Sequence, residues 1–253
     1  LLGSVGKATA ENIEKSEGKV KAGEQIGQSG LQAAYNDTLA GTAGVSVSQY
    51  TAEHDAVAEL FTTAAAAGED VKTTLDVKLQ DAADDLLAEA DSNSAIVVIR
   101  PSDGSVLAAS SGPVSSGLNT SLQGSYAPGS SFKVVSALAM LRDGATPSTK
   151  VKCPATAVVD GKSFKNYDGY PATAVGTIPL SEAIAQSCNT IFVNQGQDIG
   201  GKKLAEAAAA LGLLAEDGTG TGAVFGSVPE DSEGTTQAAN MIGQGVVESS
   251  PLG

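Results

Sequence analysis

The chain has 253 residues and carries 15 Lys and Arg against 29 Asp and Glu, a formal net charge of −14. With 42% hydrophobic residues it can build one large domain or two ordinary ones. That charge argues against a protein that tracks nucleic-acid phosphates or docks on an anionic bilayer through a basic patch, since both need clustered Lys and Arg. A single His (His54) and two Cys (Cys153, Cys188) cannot fill a closed structural zinc site. A Ser-His-Asp triad would depend on His54, which sits in a polar, Ala-rich stretch without a nucleophile elbow. No apolar run is long enough to span a membrane. The chain opens without Met and without a charged-then-apolar leader, so it reads as a mature or excised piece whose targeting segment lies outside it.

Along residues 1–41, short amphipathic pieces (Ala8–Glu14 and Leu31–Leu39) are separated by glycines. Residues 42–70 are polar and Ala-rich with weak periodicity, which predicts a linker or a solvent-exposed arm. Thr73–Asp76 reads as a short strand ending in a helix cap. Leu79, Ala82, Ala83, Leu86, Leu87 and Ala90 then recur at helical spacing. Ala95–Ile99 and Ser105–Ala109 flank Asp103-Gly104 and predict a β-hairpin. The Ser- and Gly-rich stretch 110–129 reads as loop, and Phe132–Leu141 as an apolar helix closed by Gly144 and Pro147. Further on, Val151–Val159 reads as a strand, Leu180–Phe192 as a mostly buried helix and Lys202–Leu213 as another helix, dominated by Ala and Leu. The final forty residues are Gly-rich. A helix, a hairpin and then more helices, without regular βα alternation, predict an α+β or mixed α/β layer fold.

The chemistry is sought first in hydroxyl-plus-amine pairs. A Ser followed three residues later by Lys puts both groups on one helix face, and a Lys kept neutral by burial can take the Ser proton. Ser4/Lys7, Ser16/Lys19 and Ser130/Lys133 all match. Only the third follows a Pro-Gly turn and opens an apolar helix, where outward-pointing backbone N–H groups would stabilise an oxyanion. The plainer alternative makes Ser130 an N-cap and Lys133 a solvated side chain. Ser187-Cys188-Asn189 holds the single Ser-x-Asn of the chain, inside an otherwise apolar segment whose polar groups need partners or a task. A helix turn capped by that Ser and Asn is the alternative there.

Pro128–Lys133 (PGSSFK) and Ser187–Asn189 (SCN) resemble the first two motifs of the penicillin-binding protein transpeptidase family, for which an S-x-x-K plus S-D-N plus K-T-G set is known. Residues 73–83 (TTLDVKLQDAA), 96–110 (IVVIRPSDGSVLAAS), 152–166 (KCPATAVVDGKSFKN) and 241–252 (MIGQGVVESSPL) are similar to class B members, and 27–41 (GQSGLQAAYNDTLAG) resembles the pedestal before such domains. The resemblance implies a pedestal or linker over residues 1–70 and a transpeptidase domain over 71–253, in the α/β penicillin-binding protein/β-lactamase-like fold.

What it implies chemically is acyl transfer. Ser130 would attack the penultimate D-Ala carbonyl of a peptidoglycan stem peptide with Lys133 as its base, and its backbone N–H would form half of the oxyanion hole. Ser187 would relay a proton to the departing amine, and Asn189 would hold the Lys or the substrate amide. Ser131, Gly243, Gln244 and Gly245 would line the substrate site, and β-lactams would acylate Ser130. No metal or cofactor is implied. The partners would be stem peptides, β-lactams and other cell-wall synthesis proteins, outside the cytoplasm and with any membrane anchor beyond this chain. In such an oxidising compartment Cys153 and Cys188 form a disulfide or stand as two small buried hydrophobes.

One departure stands out. Neither Lys-Thr-Gly nor Lys-Ser-Gly occurs, and residues 204–253 hold no Lys or Arg. Set against the family it resembles, the chain is expected to have an incomplete sheet, an open sheet edge and a site lacking its third wall. Two alternatives share the resemblance: a β-lactamase or β-lactam sensor, and a non-catalytic cell-wall scaffold.

Overall fold

The computed structural model describes residues 1–218 and 220–253. The N-terminal part begins with β1 (Val5–Lys7), α1 (Ala10–Lys15) and β2 (Gln25–Gly27), the two strands pairing antiparallel. Next come α2 (Gly30–Ala34) and α3 (Asn36–Leu39), so the amphipathic piece Leu31–Leu39 is two short helices meeting at Tyr35.

Residues 42–70 are a solvent-exposed arm rather than a linker, and the arm has secondary structure. They form a hairpin of β3 (Val45–Tyr50) and β4 (Ala56–Thr63), with Val47 opposite Phe61 and two register breaks. His54 sits in its turn with φ +69°. Val45, Val47, Leu60 and Phe61 are all exposed, so the ribbon presents both faces outward and never shows the one-sided burial that periodicity detects.

Thr73–Asp76 is extended but not a strand. Its Thr74 hydroxyl donates to Val106 O at 2.7 Å and its Asp76 N–H to Leu107 O at 2.8 Å. Asp76 Oδ1 then caps α4 (Val77–Leu87), accepting from the Lys78 and Leu79 amides at 2.9 and 3.1 Å. The predicted hairpin is present as β5 (Ala95–Ile99) and β6 (Val106–Ser111), turning at Gly104 with φ +73°. Gln80 of α4 grips β6 with its side-chain amide, accepting from the Ala109 N–H at 2.9 Å and donating to Ala109 O at 3.2 Å. The stretch expected to be loop carries a 3₁₀ turn at Pro113–Ser115 and α5 (Thr120–Gln123), capped by Asn119.

A 3₁₀ turn over Gly129–Phe132 leads into α6 (Lys133–Arg142). The single strand expected over 151–159 is two. β7 (Lys150–Cys153) pairs with β10 (Gly176–Pro179), and β8 (Thr156–Val159) pairs with β9 (Lys162–Lys165). Pro154 lies at the break; it lacks the N–H a continuous ladder needs. The helix expected over 180–192 is likewise divided, into α7 (Leu180–Ala185) and α8 (Asn189–Ala210), because Ser187 is left-handed at φ +53°. The expected 202–213 helix is the second half of α8, reached through a non-helical Gly200. β11 (Gly226–Ser227) and β12 (Glu248–Ser249) pair, and α9 (Gly234–Asn240) lies between them in sequence.

The core centres on α8, whose Ile191, Phe192, Val193, Leu204 and Ala207 are buried with Val135 and Met140 of α6 and Ala238 of α9. Burying each large side chain stabilises by about 1.5–3 kcal/mol. Gly196 lets α9 come close: a Cβ there would stand 3.1 Å from the Ala238 Cα. Among the described residues every sheet has two strands, and no helix is long and apolar enough to cross a membrane.

Candidate active site

Chain geometry places Ser130 at the surface and Lys133 one turn further in. Gly129 adopts φ +59°, Ser130 follows in the 3₁₀ turn, and Lys133 opens α6 with only 3% of its surface exposed. Ser130 is therefore not the N-cap considered above; its hydroxyl meets the Lys133 Nζ at 3.1 Å. Helix α6 is held from below by the buried Ser136 hydroxyl, which donates to Met241 O at 2.7 Å. The other two Ser-x-x-Lys pairs are decoys. Ser16, for example, is engaged at the end of α1, donating to Ile13 O at 2.8 Å.

The Ser-Cys-Asn segment comes to the same place. Left-handed Ser187 turns both its carbonyl and its hydroxyl toward Lys133, each 2.8 Å from Nζ, and Asn189 Oδ1 stands at 2.6 Å. Four oxygens thus surround an amine. An ammonium has three N–H donors; a neutral amine has two, plus a lone pair. Ser187 O and Asn189 Oδ1 can only accept, so in the neutral state they take both N–H groups and leave the lone pair to the hydroxyls of Ser130 and Ser187. Burial favours that state, pushing Lys133 from its ordinary 10.5 down to about 8. Chemically, this is a hydroxyl at a solvent-facing turn, with a base behind it and a second hydroxyl on that base.

The remaining residues singled out in the sequence lie at different removes. Ser131 is exposed and its hydroxyl donates to Pro128 O at 2.7 Å, a bond that tightens the turn. Gly243 is buried against the Gly129 backbone, and half-buried Gly245 lies against Asn240 Oδ1, so close that a Cβ at either would overlap those atoms. Gln244 alone of the three projects into solvent. Cys153 and Cys188 are joined in a disulfide with Cα atoms 6.3 Å apart, pinning the Ser-Cys-Asn turn to the end of β7. Among the described residues no group of three or more His, Cys, Asp or Glu is placed to hold a metal ion.

One residue that the motifs did not single out touches this site. Asn166, just after β9, accepts the Asn189 and Thr190 N–H groups at 2.8 and 3.2 Å. It closes the KSFKN string, but nothing local in that string announces a partner at position 189.

The penicillin binding protein transpeptidase domain model matches residues 94–253, and the penicillin-binding protein dimerisation domain model matches residues 1–73. The chain belongs to the penicillin-binding protein transpeptidase family. It is 32% identical over 188 residues to the peptidoglycan D,D-transpeptidase PbpA of Mycolicibacterium smegmatis, an alignment covering 62% of this chain and 38% of that one. It is similar in structure to penicillin-binding protein A of M. tuberculosis in its penicillin G acyl-enzyme complex, with TM-score 0.65, 28% identity, and coverage of 74% and 51% of the two chains. It is also similar to a protein solved in a study of how a peptidoglycan synthase complex coordinates polymerization and crosslinking, with TM-score 0.80, 27% identity, and coverage of 99% and 51%. The chain thus spans about half the length of these solved relatives, and the match covers 38% of the M. smegmatis protein.

Proposed function

We propose that this chain carries the acylation half-site of a D,D-transpeptidase that cross-links peptidoglycan stem peptides through an acyl-enzyme on Ser130. Lys133 takes the Ser130 Oγ proton on its lone pair as Oγ bonds to the carbonyl carbon of the penultimate D-Ala. The oxyanion that forms is met by the Ser130 backbone N–H. The Lys133 proton then passes through the Ser187 hydroxyl to the amine of the departing D-Ala, and the C–N bond breaks. An amine from a neighbouring stem reverses these transfers, losing its proton along the same route and taking the acyl group from Ser130. A β-lactam enters as the donor does, but its leaving group stays attached.

The observation that carries this reading is the Lys133 Nζ within 3.1 Å of the Ser130 Oγ and 2.8 Å of the Ser187 Oγ, with Asn189 Oδ1 at 2.6 Å. Support from outside comes from the acyl-enzyme complex of the M. tuberculosis relative and the D,D-transpeptidase of M. smegmatis. We read residues 1–70 as a pedestal or linker and 71–253 as the transpeptidase portion; the two matched models, over 1–73 and 94–253, support a division near there. Other cell-wall synthesis proteins are the partners this reading calls for, in a compartment outside the cytoplasm. Ser131, Gln244 and the backbone at 243–245 are the nearby groups to meet the stem peptide.

The test is covalent labelling with a fluorescent penicillin, followed by peptide mapping. Because Lys-Thr-Gly is absent from these residues, the expected result is slow label confined to Ser130 and lost in Ser130→Ala and Lys133→Ala. Label on another residue, or label that persists in Ser130→Ala, overturns the assignment.

A further inference from the structure

We propose that Asn166 is a positioning residue for the Lys133 base, acting through Asn189; the role rests on the transpeptidase reading above. Helix α8 starts at Asn189, and its first amides need acceptors. The residue in the N-cap position, Cys188, offers none, because its sulfur is bonded to Cys153. Asn166 fills the gap from a distant part of the chain. It is 6% exposed, and its Oδ1 accepts both the Asn189 and the Thr190 N–H. Its Nδ2 donates to Pro154 O at 3.3 Å, so both ends of the amide are engaged and its orientation is set.

The neighbouring carbonyl completes the hold. Asn189 Nδ2 donates to Lys165 O at 2.9 Å, and that bond decides which end of the Asn189 amide faces Lys133. The torsion of an Asn amide is soft and roughly two-fold, so without that bond the NH₂ end would compete for the place of Oδ1. An NH₂ there would set donor against donor and strip Lys133 of one of its two acceptor-only partners. Residues 165 and 166 therefore fix the backbone and the side chain of Asn189 together.

Mere anchoring of α8 does not need Asn166. The disulfide already ties Cys188 to Cys153, and the Thr190 hydroxyl donates to Pro154 O at 2.7 Å. What Asn166 adds is the placement of Asn189 itself.

The experiment compares the wild-type protein with Asn166→Ala, Asn166→Asp and Thr190→Val. Two quantities are read: amide-proton exchange at Asn189 and Thr190 by NMR, and Ser130 acylation by a fluorescent penicillin resolved into a binding constant and a chemical step. In Asn166→Ala the Asn189 amides should exchange about fivefold faster or more, the loss of one cap. The chemical step should fall by about thirtyfold to a hundredfold at an unchanged binding constant, as for a misplaced catalytic group. Asn166→Asp keeps the acceptor and should recover the rate to within about threefold. Thr190→Val should lower the melting temperature without slowing acylation. If Asn166→Ala does not fold, Asn166→Ser takes its place, being too short to reach both amides. The proposal is overturned if Asn166→Ala, or Asn166→Ser in its place, acylates at the wild-type rate, or if Thr190→Val slows acylation as much as that variant does. Absence of label on wild-type Ser130 would instead refute the transpeptidase reading, and the exchange data would still decide whether Asn166 holds Asn189.

Discussion

The Gly129 N–H donates to Gly243 O at 2.9 Å, and the two glycine backbones touch so closely that position 243 has no room for a side chain. Both residues are left-handed, at φ +59° and +67°. The Gly-Gln-Gly segment is thus a buttress under the turn that presents Ser130. Gly243→Ala is expected to cost about 2–4 kcal/mol, from backbone overlap plus a left-handed Ala, and to slow Ser130 acylation because the turn must move. Gln244→Ala, at an exposed position, should stay within about 0.5 kcal/mol of wild type. Thermal melts and labelling rates on the two variants separate support from substrate contact: a Gly243→Ala protein as stable as wild type would sink the buttress.

Lys133 titrates at about 8 in the folded protein, against 10.5 when free. At pH 7 only about one molecule in ten carries the neutral amine, so acylation should climb about tenfold per pH unit below 8 and level off above it. Stability follows the same shift. Between pH 8 and 10.5 the unfolded chain holds a proton that the native state has released, so unfolding free energy rises with pH across that window. Below pH 8 the penalty for burying the ammonium is fully present, on the order of 3 kcal/mol. Lys133→Met should remove acylation and flatten this part of the curve. The check is the difference between the wild-type and Lys133→Met denaturation midpoints measured from pH 7 to 11; parallel curves would mean that Lys133 is an ordinary solvated lysine.

Some of this was legible in the string of residues and some was not, for physical reasons. The Ser130/Lys133 pair stood out from its two decoys because a Pro-Gly turn and an apolar helix are local signals, and the β5–β6 hairpin announced itself through Asp103-Gly104. The break at Ser187 was hidden. The stretch from Leu180 to Phe192 has no Gly or Pro to mark a break, and the left-handed Ser187 is held by the bonds of its two oxygens to Lys133 and by the disulfide from its neighbour Cys188 to Cys153. Asn166 was invisible for the same reason, since its partners are all remote in sequence. The β3–β4 ribbon was missed because neither of its faces is buried, although the Val-Ser-Val-Ser alternation at 45–48 was there to read.

Asp76 is a case where the local signal sufficed. Its carboxylate takes two amides of α4, and α4 carries the Gln80 and Asp84 side chains that grip β6. Asp76→Ala should cost about 1 kcal/mol, and Asp76→Asn only a few tenths. Denaturant midpoints of the two variants test this. Ser130 acylation should not change in either, since the partners of Asp76 all lie in α4 and β6.

The disulfide closes a loop of 35 residues, which in the chain-entropy account stabilises the protein by about 4 kcal/mol. Both sulfurs belong to fully buried residues, so a reductant reaches them only when the region opens, and reduction of the native protein should be slow and speed up sharply in mild denaturant. Cys188 lies between Ser187 and Asn189, so opening the bridge frees the two residues that hold Lys133 as well as lowering stability. The paired Cys153→Ala/Cys188→Ala variant should therefore lose about 2–4 kcal/mol by denaturant midpoint and acylate more slowly even in its folded fraction. Asn166 still caps α8 in that variant, so the slowing should be partial; combined with Asn166→Ala it should become near-complete. Equal midpoints with and without reductant would show that the bridge is not formed, and full activity of the triple variant would show that Lys133 needs neither restraint.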